Sequence, residues 1–403
     1  MGLKLNVLFI VDGSLSNPVL PSQGIPHIQE NSKKGVNYFI LSFEDPQYIG
    51  KNPKEKERHD AAYSNLNKCA RVFSAGLKKN KRFSTFRLIL KGLFSASRII
   101  RKHKIDIVHG RSNLPSLLGV LLKKIFNIKV LYDNRGLLSD ELDEMGKLRI
   151  KVEILFEKYI LKTSDSIVVV SHAFKNHLCS KYPSYNLDGK LRVIENSFSE
   201  KRFFYSDQLR EKYRREFGLH DKFVMVYSGH AGSWQRFDFT LETFKKLKGL
   251  KKEAYLLIIS YDDDIEEKIL KAGVAGTDFA VYNLLASEVG KYLITADFGV
   301  NFRDNNRLRS RVSAPIKLGE YLASGLPVLS MNKIGDSEMI LNKYETGIII
   351  ENELEVKQKL LELIELAKDP EVRMRCRRTA EECLSVKVSA EKYLSIYKNL
   401  LIK

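Results

Sequence analysis

Residues 313–330 of this 403-residue chain read SAPIKLGEYLASGLPVLS. Pro315 heads a small and apolar run, in a place where its missing N–H costs a helix nothing. Gly325 and Pro327 end that run and open a strand. The stretch therefore predicts a helix over 317–324 that feeds a strand over 326–330. It also holds one ammonium, Lys317, and one carboxylate, Glu320. A helix that starts at Pro315 turns the N–H groups of Ile316, Lys317 and Leu318 outward at the positive end of its dipole, which suits a pyrophosphate. Lys317 adds a full charge there. Glu320, one turn on, offers a carboxylate to the hydroxyls of a ribose. The plainer alternative is an exposed Lys–Glu pair at i, i+3.

The alternation of helix and strand continues in both directions. Upstream, LNVLFIV (5–11), VNYFILSF (36–43), IDIVHG (105–110), KVLYD (129–133), SIVVVS (166–171) and LRVIEN (191–196) have the apolar run of buried parallel strands. PSQGIPHIQENSKKG (21–35) supplies a glycine-containing loop, a helix and a Gly stop between the first two. A charged stretch from about residue 200 interrupts the pattern and carries the expected linker. A second set follows: KFVMVYSG (222–229), AYLLIIS (254–260), DFAVYN (278–283), ADFGVNF (296–302), LPVLS (326–330) and TGIII (346–350), with helices over 238–248, 287–294 and 317–324. The fold class is α/β, with two Rossmann-like parallel-sheet domains, 1–200 and 201–386, facing across a cleft. Ligands of such sheets bind at the carboxyl ends of the strands. A terminal amphipathic helix with Tyr393, Ile396, Tyr397, Leu400 and Leu401 on one side closes the chain.

Charge is uneven. Residues 1–200 carry 33 Lys and Arg against 19 Asp and Glu, and residues 201–403 carry 34 against 30. The segment 78–104 holds ten Lys and Arg and no acid, with Phe83, Phe86, Leu90, Leu93 and Phe94 at helical spacing. A basic amphipathic helix of this kind reads as a membrane-surface element or as a core-packed helix with a solvated basic face. No apolar run reaches the roughly 20 residues that span a bilayer. The first apolar run lacks a small-residue cleavage site and is expected to be a strand. Cys69, Cys179, Cys376 and Cys383 are scattered, as reduced thiols in a cytoplasmic protein would be. No GxGxxG follows a strand, which argues against a dinucleotide dehydrogenase. No nucleic-acid recognition motif accompanies the positive charge.

The run 313–330, with IGDSEMILNKYETGIII (334–350) after it, resembles the signature region of the retaining GT-B glycosyltransferases of family 4. DIVHGRSNLPSLLGVLL, VLYDNRGLLSDE, SIVVVSHAFKNHL, RVIENSFSEKRF and VYSGHAGSWQRFDFTLETF resemble further segments of that family, in order. The resemblance implies a GT-B fold, with 387–403 packing back on the first domain. It implies transfer of a sugar from a nucleotide diphospho-sugar (UDP, GDP or ADP type) to a glycan or lipid-linked acceptor, without a metal. The donor phosphate itself would take the acceptor proton. On these matches the donor-binding candidates are Gly24, Gly229, Gly232, Arg236, Arg303, Ser313, Ile316, Lys317, Leu318 and Glu320. Arg236 is the expected pyrophosphate clamp, and His109, Arg236 and Lys317 are the catalytic candidates. Arg111, Asp133 and Arg135 are candidates for the acceptor, with a salt-bridged turn as the plainer role of the last two. Trp234 either walls the sugar pocket or belongs to the core.

Two departures stand out. The family often has two glutamates eight positions apart, and Val312 occupies the earlier place here. It also often ends a strand in His-x-His, where this chain has His109-Gly110-Arg111. The 262–264 Asp run is expected to be an exposed helix start. The expected setting is cytoplasmic, at the inner face of the membrane, in surface polysaccharide or glycolipid assembly. The rivals are an NDP-sugar epimerase of the same fold and a non-catalytic binder of polyanions or membranes.

Overall fold

A computed structural model describes residues 4–402 of the chain except 12, 18, 77–83 and 138–146. The first part of the basic segment, 78–83 with Phe83, therefore lies outside the described residues. The chain divides into two units: 1–195 with 389–403, and 196–388.

The first unit holds a seven-stranded sheet. Its strands are β1 (Leu5–Ile10), β2 (Val36–Glu44), β3 (Ala70–Gly76), β4 (Ile107–Arg111), β5 (Lys129–Asn134), β6 (Ser166–Val169) and β7 (Leu191–Val193). The order is β3-β2-β1-β4-β5-β6-β7 and every pairing is parallel. Val7 faces Tyr38 on one side and Ile107 on the other. Such strands are covered on both faces, and Leu5, Val7, Leu8 and Ile10 are all fully buried. β3 is absent from the predicted strands. It is an edge strand of mixed polar and small residues, only half-buried, and carries no apolar run to announce it.

The helices Ser84–His103, Asn113–Lys123 and Lys147–Thr163 follow one another across the sheet, with the middle one packed on both neighbours. The helix Val386–Ile402 ends the described chain. Its Tyr393, Ile396, Tyr397 and Leu400 join the core of the first unit with Val7, Phe9 and Ile107.

The second unit holds a six-stranded sheet in the order β10-β9-β8-β11-β12-β13, again parallel throughout. The strands are β8 (Phe223–Ser228), β9 (Ala254–Ile259), β10 (Phe279–Tyr282), β11 (Phe298–Asn301), β12 (Val328–Met331) and β13 (Gly347–Ile350). Each lies inside its predicted segment except β12, which runs one residue further, to Met331. The predicted 238–248 helix runs Phe237–Leu250, the 287–294 helix Val289–Leu293, and the 317–324 helix Ile316–Ala323. The charged stretch after residue 200 is not a plain linker. It contains the helix Asp207–Glu216, capped by the Ser206 hydroxyl on Leu209 N–H. Both sheets reverse their strand order once, at β1/β4 and at β8/β11, the kind of point where open sheets bind ligands.

Candidate functional site

At the carboxyl edge of the second sheet, the Ile316–Ala323 helix is fixed by Tyr321. That ring is fully buried, and its hydroxyl accepts the N–H of Ser228, the last residue of β8, at 2.8 Å. A Schellman stop ends the helix: Leu326 N–H bonds Tyr321 O and Gly325 N–H bonds Leu322 O, both at 3.0 Å, with Gly325 at φ +75°. Residue 317 precedes Tyr321 by one turn and so shares its inward face. Lys317 is only 7% exposed. Its ammonium lies 4.3 Å over the Tyr227 ring and donates to Gln235 Oε1 at 3.3 Å. Gly229 makes this possible. It sits at φ +139°, and a Cβ there would lie 3.3 Å from the Lys317 Nζ.

Among the described residues no carboxylate comes within 4.0 Å of Lys317, Glu320 included, so the surface-pair alternative fails. Burial, and then the charge of Arg303, push the Lys317 ammonium down to about 7. Arg303 leaves the end of β11 and donates to Ser313 Oγ at 2.9 Å, while Ser313 Oγ donates to Ser310 O at 2.8 Å. The Arg303 guanidinium lies 4.9 Å over Trp234, whose ring also carries Arg309 at 5.1 Å. Trp234 is thus half-buried between cations, neither core nor bare surface. Arg303 Nε is buried without a hydrogen-bond partner. Burial, with Arg309 beside it, lowers Arg303 to about 10. Two cations that feel each other's charge, both desolvated and without a carboxylate among the described residues, suit an anion.

Arg236 does not join them, which corrects its expected place as the clamp. Its guanidinium is engaged by Glu353 at 2.9 Å and Asp238 at 3.6 Å and stacks on Phe239. Of the other loop arginines, Arg307 pairs with Asp304 and Arg311 donates to Asn305 O. The N–H groups of Ile316 and Lys317 make no hydrogen bond to described residues. That of Leu318 donates to Pro315 O at 3.2 Å, so its expected donor contact is withdrawn. Pro315 itself is the N-cap. Glu320 is partly exposed, and its carboxylate has no partner among the described residues. Burial raises its carboxyl above the ordinary value, against the lowering by Arg202 and Lys317. Val312, in the place of the family's earlier glutamate, is buried.

Asp262 is a residue the sequence concealed. Asp263 and Asp264 are the expected exposed start of the helix Ile265–Lys271, but Asp262 is turned away from solvent. Its carboxylate accepts from Ala231 N–H, the Ser260 hydroxyl and the His230 ring, holding the 229–232 loop against the sheet. Burial raises this carboxyl, but those three bonds more than offset that and hold it below its usual range. The spacing Ser260-x-Asp262 at the end of β9 was the available signal. Gly232 belongs to the same loop, where a Cβ would crowd the His230 ring at 3.0 Å.

In the first unit, His109, Arg111, Asp133 and Arg135 do come together, at the ends of β4 and β5, but as an interior cluster. Asp133 is 1% exposed. It meets Arg135 Nε at 2.8 Å, His109 Nε2 at 3.4 Å and Arg111 Nη1 at 3.5 Å, and accepts the Tyr393 hydroxyl at 3.1 Å. His109, 2% exposed, bonds the Tyr397 hydroxyl at 2.6 Å through Nδ1. Arg111 also donates to Gln23 O, and Arg135 to Tyr393. The C-terminal helix thus covers these groups with its tyrosines. That withdraws His109 as a catalytic candidate and the other three as acceptor contacts, and it leaves the salt-bridged turn for Asp133 and Arg135. Gly24 is corrected too: its N–H is spent on Leu20 O at 2.9 Å, between the helices Leu20–Gln23 and Ile25–Lys33, and cannot meet a phosphate.

Comparison with known proteins agrees with this architecture. Residues 32–202 match the family Glycosyltransferase Family 4, and residues 210–382 match Glycosyl transferases group 1. The sucrose-phosphate synthase of Thermosynechococcus elongatus superposes with a TM-score of 0.72 at 14% identity, covering 99% of each chain. A Rickettsia africae glycosyltransferase gives 0.69 at 20% identity, with the same coverage. HepE of Anabaena, crystallised with UDP-glucose, gives 0.65 at 12% identity, covering 98% of this chain and all of that one. YtcC of Bacillus subtilis (strain 168) is 21% identical over 207 residues, 48% of this chain; the match takes in about half of that relative's length, 49%. The two units have the GT-B pair of Rossmann-like sheets, and the chain belongs to the family 4, group 1 glycosyltransferases.

Proposed function

We propose that this protein moves a sugar, with retention of configuration, from a nucleotide diphospho-sugar to a glycan or lipid-linked acceptor. One observation carries the proposal: Lys317 and Arg303 both lie desolvated at the carboxyl edge of the second sheet, near enough for the charge of Arg303 to lower Lys317, and without a carboxylate partner among the described residues. A glycosyl transfer leaves negative charge on the departing phosphate as the sugar becomes oxocarbenium-like. Donors already fixed in place are what such a transition state needs. Lys317, Arg303 and the N–H groups of Ile316 and Lys317 meet the diphosphate, in the role first expected of Arg236. The partnerless Glu320 takes the ribose hydroxyls. UDP and UDP-glucose in HepE support a nucleotide-sugar donor, and UDP-linked sugars are the first to test. The departing phosphate accepts the acceptor proton.

The first unit meets the membrane that carries the acceptor, in surface polysaccharide or glycolipid assembly at the cytoplasmic face. Its Ser84–His103 helix turns Phe86 (62% exposed), Leu90 and Phe94 (66%) outward beside Arg87 and Lys91. Among the described residues no helix is long and apolar enough to cross a membrane. A thermal-shift screen against UDP-, GDP- and ADP-linked sugars, followed by NMR of the product anomer, tests the proposal. One nucleotide should stabilise the protein and the anomer should be retained. No stabilisation by any donor defeats the donor site, and an inverted product defeats the mechanism.

A further inference from the structure

One short turn of the second unit reaches both cations of its site. The turn is Ser233–Gln235, after β8 and the 229–232 loop. Gln235 is buried and accepts the Lys317 ammonium at 3.3 Å. Trp234, its neighbour, lies under the Arg303 guanidinium at 4.9 Å and the Arg309 guanidinium at 5.1 Å. The main chain ties the same two segments: Asp304 N–H, next to Arg303, donates to Trp234 O at 2.9 Å. The apolar core nearby takes Tyr227, Phe237 and Phe239, and Trp234 does not belong to it. Two guanidiniums repel each other, and each rides on a long flexible stem. An indole attracts both without neutralising either, and it is the strongest side-chain ring for that purpose. Ser313 Oγ fixes one end of the Arg303 guanidinium at 2.9 Å, and the ring fixes its side.

We propose that Trp234 is a positioning residue, whose ring holds the Arg303 guanidinium, with that of Arg309 beside it, where a diphosphate can meet it. This role rests on the donor site proposed above. Trp234 acts through Arg303 and not on the phosphate itself. A cation fixed before its ligand arrives has little freedom left to lose on binding, so affinity and transition-state stabilisation both gain. Replacing the Trp234 side chain leaves the main-chain bond to Asp304 available, so the loop keeps its course while the ring is lost. Trp234 is also the one tryptophan of the chain, so its fluorescence reports on the guanidiniums over it.

The test titrates the whole protein with UDP, GDP and ADP by calorimetry. The nucleotide that binds is then carried to Trp234→Phe, Trp234→Leu, Arg303→Ala and the double variant of Arg303→Ala with Trp234→Leu. Trp234→Leu should weaken binding about tenfold, as loss of a desolvated cation–ring contact does. Trp234→Phe keeps a ring face and should stay within about threefold of the unaltered protein. In the Arg303→Ala background the further loss from Trp234→Leu should shrink to about twofold or less, because the group it positions is gone. A tryptophan that serves only the fold gives the same loss in both backgrounds, and that result overturns the proposal. So does unchanged affinity in Trp234→Leu. Indole emission gives an independent reading. Nucleotide should shift it saturably, with the affinity found by calorimetry, and the shift should shrink in Arg303→Ala held at saturating nucleotide. Should Trp234→Leu not fold, Trp234→Phe and the emission decide: a response of equal size with and without Arg303 overturns the proposal. If none of the three nucleotides binds, the donor site falls and the positioning role falls with it. Binding that ignores Trp234 defeats the positioning role alone and leaves the donor site standing.

Discussion

An ammonium that burial brings down to about 7 is costly to keep charged. Lys317 is displaced from 10.5 to about 7, which corresponds to about 5 kcal/mol of lost charge stabilisation. An anion that restores the charge recovers much of that cost, so nucleotide binding and protonation are coupled. Between pH 7 and the higher value Lys317 regains in the complex, binding takes up a proton. Affinity should therefore fall by up to about tenfold per pH unit as pH rises above 7, and level off below 7, where the free ammonium is already charged. Calorimetry at pH 8 in buffers of different ionisation enthalpy should report uptake of a sizeable fraction of one proton. Zero uptake would place the diphosphate away from Lys317. The same strain predicts that Lys317→Met raises the melting temperature of the nucleotide-free protein, by roughly 2–4 °C per kcal/mol relieved, and abolishes stabilisation by nucleotide. A variant that is destabilised yet still binds donor would contradict this. Arg303→Ala should lower turnover on the order of 100-fold or more, and Arg236→Ala far less, since Arg236 is spent on Glu353. Lys317 and Glu320 were legible in the sequence because two charges interrupt a small apolar helix. Arg303 could be picked out among four arginines within nine residues by its place at a strand end, but that Arg236 stands apart was hidden, because its partner Glu353 comes from more than 100 residues along the chain.

Elements were easier to read than their ends. Parallel strands buried on both faces appear as unbroken apolar runs, and twelve of the thirteen strands could be read that way; β3, half-buried at an edge, could not. The apolar side of the C-terminal helix was also plain. What it covers was hidden, because Tyr393 and Tyr397 meet Asp133 and His109 across more than 250 residues of chain. This covering makes a prediction about acid. Burial, helped by Arg135 and Arg111, pushes His27 down to about 3, and burial lowers His109 as well. Below about 6.5 the unfolded chain binds protons at both imidazoles, whereas in the folded chain His27 takes one up only near 3 and His109 less readily than a free imidazole. Stability is therefore full above 6.5 and falls as pH drops, by up to about 1.4 kcal/mol per unit from His27, with His109 acting in the same direction. Asp133 adds to the loss below about 4: burial raises its carboxyl, but Arg135 and His109 more than offset this and hold it well below the usual carboxylate range. Urea unfolding between pH 7 and 4.5 should show the decline, and His27→Gln should flatten it. An unchanged slope in that variant would mean that His27 is not the group that titrates.

At the scale of the molecule the charge is almost wholly in one unit. Residues 1–195 and 389–403 carry 36 Lys and Arg against 19 Asp and Glu, a net +17, and residues 196–388 carry 31 against 30. A nearly neutral unit around a site for a highly charged donor keeps the attraction local, in Lys317 and Arg303, and leaves little long-range field for salt to screen. The basic unit is the opposite case, with many exposed cations and, on the Ser84–His103 helix, an outward row of Phe86, Leu90 and Phe94 to follow them into an interface. The two binding events should then separate by ionic strength. Between 50 and 300 mM NaCl, co-sedimentation with vesicles rich in phosphatidylserine should weaken steeply, while the affinity for nucleotide changes little. Arg87→Gln with Lys91→Gln removes two cations beside the apolar row. At about 1 kcal/mol for each cation near an anionic surface, vesicle binding should drop roughly 30-fold at moderate salt. The same pair should leave nucleotide affinity within a factor of two, since both residues lie in the other unit from the donor site. Vesicle binding that resists salt and survives the double substitution would show that charge on this helix does not bring the protein to the membrane.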